Sequence, residues 1–193
     1  LPADERRAVI VEAVIALAAT TNPADITTAQ IAAHMGLTQG ALFRHFADKQ
    51  AVWGAVMEWT TQSLLARIDT VMGETPLDRL RAMLIAHIDF VVEHKGVPRI
   101  LFGELQRTDD SSGKAQARGL MQAYRERVIA LLTQAKDAGH IAPHTDTAAA
   151  ATMFLGLVQG LVMQAMAADD FTQMHDAAAG MFPLYRAGLG MPQ

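Results

Sequence analysis

Residues 38 to 41 read Thr38, Gln39, Gly40, Ala41: four small or polar residues in a row, none charged. Such a cluster at the start of a helix is suited to close-range hydrogen bonding. Short side chains let a helix N-terminus come near the floor of a DNA major groove, where an amide side chain can meet base edges. Gly40 sharpens the question, because a glycine in the first turn of a helix costs about 1 kcal/mol relative to alanine. It serves either a tight contact with a neighbouring helix or a surface that must approach another molecule closely.

The elements that must hold this cluster are legible around it. Ile10, Ala13, Val14 and Leu17 recur at the spacing of one buried helical stripe over residues 5–19. Asn22 and Pro23 interrupt it. Thr27 and Gln30 form a T-x-x-Q capping box that predicts a short second helix to about Met35, closed by Gly36. Thr38 caps a third helix from Gln39 to about Phe46, with Leu42, Phe43 and Phe46 apolar, and Asp48 caps a fourth from Lys49 to about Val71. Two short capped helices around one glycine predict a helix-turn-helix.

On these residues, and on the run "ITTAQIAAHMGLTQGALFRHFADKQAV" within residues 6–57, the chain resembles the DNA-binding domain of the TetR family of repressors. The resemblance covers about a quarter of the sequence. It implies that Gln39, Gly40 and Ala41 face base edges, and that Thr27, Thr28, Thr38, Arg44, His45 and Lys49 face phosphates or the groove rim. Phe43 shares that DNA-facing set but stands where the family usually has Tyr, so a phosphate-reaching hydroxyl is missing. Gln50 replaces a common Glu. The partners implied are a palindromic double-stranded operator, a small-molecule effector and a second copy of the chain.

Charge runs against a simple electrostatic account. Residues 1–50 carry Arg6, Arg7, Arg44 and Lys49 against Asp4, Glu5, Glu12, Asp25 and Asp48, a balance of −1, and the whole chain is −4. Phosphate neutralisation supplies most nonspecific affinity, so nonspecific binding is expected to be weak. Dimerisation, helix N-termini aimed at phosphates or a basic arm ahead of Leu1 would relieve this. The chain begins without Met and shows no signal pattern, which reads as a trimmed cytoplasmic protein. Without cysteine there is no disulfide or thiolate-held metal.

From Pro76 five more helical stretches are expected, at about 77–94, 97–107, 114–138, 146–167 and 171–189. The fold class is therefore all-α: a three-helix helix-turn-helix domain over 1–50 joined to a larger helical domain over 51–193, which the resemblance makes a ligand-binding and dimerisation domain. Residues 148–168 hold no charge, and a stretch of that length could cross a bilayer. Ala content, Gln159, Gln164 and the absence of basic or aromatic flanks favour instead a fully buried helix of a soluble bundle. The last two helices are implied to build the dimer interface, with Gly156 and Gly160 allowing close approach and Met181, Phe182 and Tyr185 as partners, and with Pro183 kinking the last helix.

A second apolar line on the 77–94 helix, Met83, His87, Phe90 and His94, runs beside its core stripe. With Phe102, Met121, Tyr124, Met153 and Leu157 it could line an adaptable effector cavity. Ordinary core packing explains each residue singly as well, with only His87 and Tyr124, polar-tipped among apolar neighbours, rising slightly above it. His140, His144 and Asp146 approach metal-ligand spacing without completing a three-ligand set. Neither a metal nor another cofactor is expected. With no catalytic elbow, phosphate-binding glycine loop or HExxH motif, the chain is not expected to be an enzyme.

Overall fold

The computed structural model describes residues 3–190, with side chains from Glu5 onward; the N-terminal start lies outside that range. Among the described residues the fold is helical without strands: α1 Ala3–Ala18, α2 Thr28–His34, α3 Gln39–Phe43, α4 Lys49–Asp69, α5 Pro76–Glu93, α6 Gly96–Gln106, α7 Ser112–Asp137, α8 Thr147–Ala168 and α9 Met174–Gly188. Two compact units divide it. One takes residues 3–63 together with 93–120, the other 64–92 and 121–190.

In the first unit the helix ends form as their sequences dictate. The Gln30 amide nitrogen donates to Thr27 Oγ1 at 3.1 Å, and the Thr27 amide donates back to Gln30 Oε1 at 2.7 Å, completing the capping box. Gly36 takes φ +65 and turns the chain towards α3. Thr38 Oγ1 accepts from the Ala41 amide at 3.2 Å, and Asp48 Oδ1 from the Ala51 amide at 2.8 Å, so both expected caps are made. Beneath them lie Ile10, Val14, Ile26, Ile31, Leu42, Phe46, Val52 and Val56, all fully or almost fully buried. α3 ends at Phe43, one turn earlier than expected, and Phe46 enters the core from the following turn.

α6 enters this unit against α1. Its first residue, Gly96, is buried where a side chain would strike the Ile15 carbonyl. Glu104, on the same helix, is buried with its carboxylate accepting from Ser111 Oγ at 2.8 Å, and Ser111 in turn caps α7.

The second unit packs α5, α8, α9 and most of α7. α5 buries Leu77, Leu80, Met83, Leu84, Ile88, Phe90 and Val91, the wide arc anticipated from its two apolar lines. Arg127 on α7 grips Asp69 at the end of α4 with two bonds of 2.6 and 2.7 Å, holding that carboxyl below its usual range. Arg125 clamps α7 to α8 by donating to Thr152 Oγ1 at 2.7 Å and to the Ala148 carbonyl at 3.1 Å. Asp146 Oδ1 caps α8 at the Ala148 and Ala149 amides.

α8 corrects one expectation. It is buried on one face only, through Ala150, Ala151, Phe154, Val158, Leu161, Val162 and Ala165. Met153 and Met163, each 47% exposed, lie on the other. An uncharged helix in a globular chain leaves such a face uncovered only when something outside the chain covers it, or at a cost in solubility.

Candidate functional site

The helix-turn-helix presents its expected contact residues outward. Thr27, Thr38, Gln39, Gly40, Phe43 and Arg44 are exposed, and Thr28, Ala41, His45 and Lys49 are half-buried. A Cβ placed on Gly40 would meet no other atom within 4 Å, so no neighbouring helix explains this glycine. Gly40 is exposed, with open space where its side chain would be.

Local contacts fix how this surface is aimed. Gln39 Nε2 donates to Thr28 Oγ1 at 2.6 Å, which couples the first turn of α3 to the start of α2. Lys49 Nζ donates to the Ala24 carbonyl at 3.3 Å and lies 5.7 Å from the Trp53 ring centre. Its ammonium is thus docked at the α1–α2 turn, and its side chain is half-buried. Sequence reasoning missed Arg7: its guanidinium donates to the His45 carbonyl at 2.8 Å and stacks over Phe46 at 4.5 Å, closing the turn after α3. An Arg on the exposed side of α1, with an aromatic partner distant in sequence, carries no local signal of that contact.

The expected effector residues differ in burial. Met83, Phe90 and Tyr124 are buried, while His87, Phe102, Met121 and Leu157 are partly so. Phe102 belongs to the first unit and the others to the second. Met153, 47% exposed, lies on the open face of α8.

One pair from this set does meet. His87 on α5 and Tyr124 on α7 contact edge-to-face with ring centres 5.2 Å apart. Tyr124 is 2% exposed. His87 is partly exposed as a residue, but its Nδ1, like the Tyr124 hydroxyl, is sealed from solvent and has no hydrogen-bond partner. Burial alone pushes the His87 imidazole down to about 4 and the Tyr124 phenol above its usual range, with no neighbouring charge contributing. Both groups are therefore neutral at pH 7. A buried polar group without a partner costs about 1–3 kcal/mol, so two side by side are an expensive arrangement unless a ligand completes it.

The dimer residues also sort differently from expectation. Gly156 is exposed and Gly160 half-exposed, and a Cβ on either would meet nothing within 4 Å. Phe182 and Tyr185 are 5% and 3% exposed and pack inside the chain, Tyr185 donating to the Ala150 carbonyl at 3.0 Å and meeting Phe154 edge-on at 5.5 Å. Met181 is half-buried, and Leu184, 74% exposed, takes the outward place on α9. Pro183 sits within the helix. The signal for Leu184 was the helical period itself, since it lies one position from the inward Tyr185. Among the described residues no group of three or more His, Asp or Glu is placed to hold a metal ion.

Comparison with known proteins agrees with this layout at both ends of the chain. The pattern of bacterial regulatory proteins of the tetR family matches residues 10–56, and that of the tetracyclin repressor-like C-terminal domain matches residues 73–163. The chain belongs to the TetR family. It is thus a DNA-binding regulator of the helix-turn-helix type. Among TetR-family relatives, the nucleoid occlusion factor SlmA of Idiomarina loihiensis is 34% identical over 101 residues, 51% of this chain and 52% of the relative. The chain thus matches about half of that protein's length. Among solved TetR-like folds, a putative TetR-family transcriptional regulator from Rhodococcus sp. superposes with TM-score 0.80 at 19% identity, over 96% of this chain and 98% of that one. AibR, solved in complex with isovaleryl coenzyme A and operator DNA, superposes with TM-score 0.73 at 22% identity over 93% and 97%.

Proposed function

We propose that this chain is a ligand-responsive repressor which binds a palindromic operator as a dimer and releases it when a small, largely apolar molecule enters the second unit. The observation that carries the DNA half is Gly40: an outward glycine in the first turn of α3, with nothing near its absent side chain, beside the exposed Thr38 and Gln39. That is the surface a major groove accepts. The open faces of α8 and α9, with Gly156, Met163 and Leu184 exposed, support pairing with a second copy. Two reading heads then double the few cations and impose two-fold symmetry on the operator. The likeness in fold to AibR, solved with isovaleryl coenzyme A and operator DNA, supports the ligand half.

Release requires that ligand bind the non-operator arrangement better than the operator-bound one, and by the factor through which it lowers DNA affinity. The test is selection of a binding site from random duplex DNA, followed by titration. A palindrome bound by two chains supports the reading; selection that yields no preferred sequence sinks it.

A second reading is favoured by the relation to SlmA, whose name assigns it to nucleoid occlusion. On that reading the DNA-bound chain acts through a protein partner. Many dispersed sites away from promoters in a genome-wide binding map would favour it over a repressor; one or a few promoter sites would favour the repressor.

A further inference from the structure

The Tyr124 hydroxyl and His87 Nδ1 are sealed in the interior of the second unit without any hydrogen-bond partner, on two helices whose rings touch at 5.2 Å. On the helix that carries His87, Met83, Leu84, Ile88 and Phe90 are buried, and their side chains hold no nitrogen or oxygen. A phenol hydroxyl donates one hydrogen bond, and a neutral imidazole with its proton on Nδ1 donates another. Two neutral donors on touching rings in an apolar setting suit an acceptor with two lone pairs, which is a carbonyl oxygen. They do not match a charge. Burying a carboxylate or an ammonium requires an opposite charge to pair with it, and burial alone, with no neighbouring charge, sets the behaviour of both rings.

We propose that Tyr124 and His87 form the polar end of the effector site, and that the site takes an uncharged molecule bearing a carbonyl (ketone, ester, thioester or amide) on an apolar body while rejecting carboxylates and amines of the same size. This rests on the ligand-responsive reading above and narrows it to a chemical class. It also gives Tyr124 a signature that a structural tyrosine lacks. Removing an unsatisfied buried hydroxyl relieves the folded chain, whereas removing a bonded one weakens it.

Binding of 2-decanone, decanoate and decylammonium at pH 7.5 by the full chain tests the class, read by calorimetry. The ketone should bind at least about ten-fold more tightly than either ion, the ratio set by a hydrogen-bonded pair against an unpaired buried charge. Tyr124→Phe should bind the ketone about ten-fold more weakly, yet melt higher than the native chain when no probe is present. His87→Leu, an independent change on the other helix, should lose ketone affinity in the same direction. Preference for either ion, no binding of any of the three, or a Tyr124→Phe chain that binds the ketone like the native one would each overturn the assignment. A lowered melting temperature for Tyr124→Phe would do so too, since it would make the hydroxyl structural. Operator binding by the native chain without probe is measured alongside. If an ion binds and releases the operator, the chemical class is wrong and the ligand-responsive reading stands. If the native chain binds no operator, it is the regulator reading that fails.

Discussion

Gly96 and Ile15 approach so closely that a Cβ added to Gly96 would lie 2.0 Å from the Ile15 carbonyl oxygen and 2.9 Å from the Ala19 amide nitrogen. The obstacle is backbone at the end of α1, which cannot swing aside as a flexible side chain could. Gly96→Ala must therefore push α6 off α1, with an overpacking cost of about 1–3 kcal/mol or more. A clear drop in the urea midpoint with unchanged slope is the expected result; a midpoint equal to the native chain's would show that the two helices sit further apart than described.

At Gly40 the opposite holds, because the space beside it is open. Gly40→Ala should leave the fold intact or raise stability by about 0.4–1 kcal/mol through a stiffer unfolded chain. Gly40→Leu should fold as well but lose operator binding, since the longer side chain holds α3 away from the groove. Thermal melts without DNA beside an operator titration decide the matter: a large melting loss for Gly40→Leu is incompatible with an outward docking residue.

Gln39 and Lys49 should separate in what they do for DNA. Gln39→Ala should cost roughly 1–3 kcal/mol on the preferred operator and relax choice at one base position. Lys49→Ala should weaken all sequences alike and lower the slope of affinity against salt by about 1. Because Lys49 also donates to the Ala24 carbonyl, the melting temperature of this variant is measured as a control. Indistinguishable sequence profiles and salt slopes would refute the division of labour.

The outward face of α8 and α9 should hold two copies together. Met163→Glu, at a residue 47% exposed, or Gly156→Leu, where an added Cβ meets nothing within 4 Å, should yield folded monomers by light scattering and reduce operator affinity. A native chain that is monomeric at micromolar concentration would remove the dimer.

Acid should act through His87. Its folded-state value near 4 lies below the ordinary 6.5, so below about pH 6.5 the unfolded chain takes up a proton that the folded chain refuses. The stability this group contributes is complete above pH 6.5 and declines as pH falls towards 4, by up to about 3 kcal/mol. Replacing His87 with Leu should remove that part of the pH dependence, seen as a flatter plot of unfolding free energy between pH 7 and 4. Parallel plots for the two chains would place His87 in contact with water.

Much of this protein is determined locally, and so could be read from its residues in order. Thr27 with Gln30, Thr38 and Asp48 cap helices within three residues of themselves, and Gly36 supplies a left-handed turn few other residues tolerate. Apolar period placed the described helices to within a few residues, apart from the early end of α3 and the late start of α9. The exposed Thr38-Gln39-Gly40 turn follows from the same short-range rules. What only tertiary structure decided depends on which face of a helix meets which neighbour. The resemblance put Phe182 and Tyr185 at an interface and left Met153 as a candidate cavity residue; packing of α9 against α8 sent the first two inward and left Met153, with Leu184, open. The clasp of Arg7 on His45 spans 38 residues. The meeting of His87 with Tyr124 joins two helices with another between them in sequence, and Gly96 became indispensable only when α6 came to rest on the carbonyl of Ile15. Side-chain caps answer to neighbours in sequence, whereas close approach and burial answer to neighbours in space, which the chain acquires only on folding.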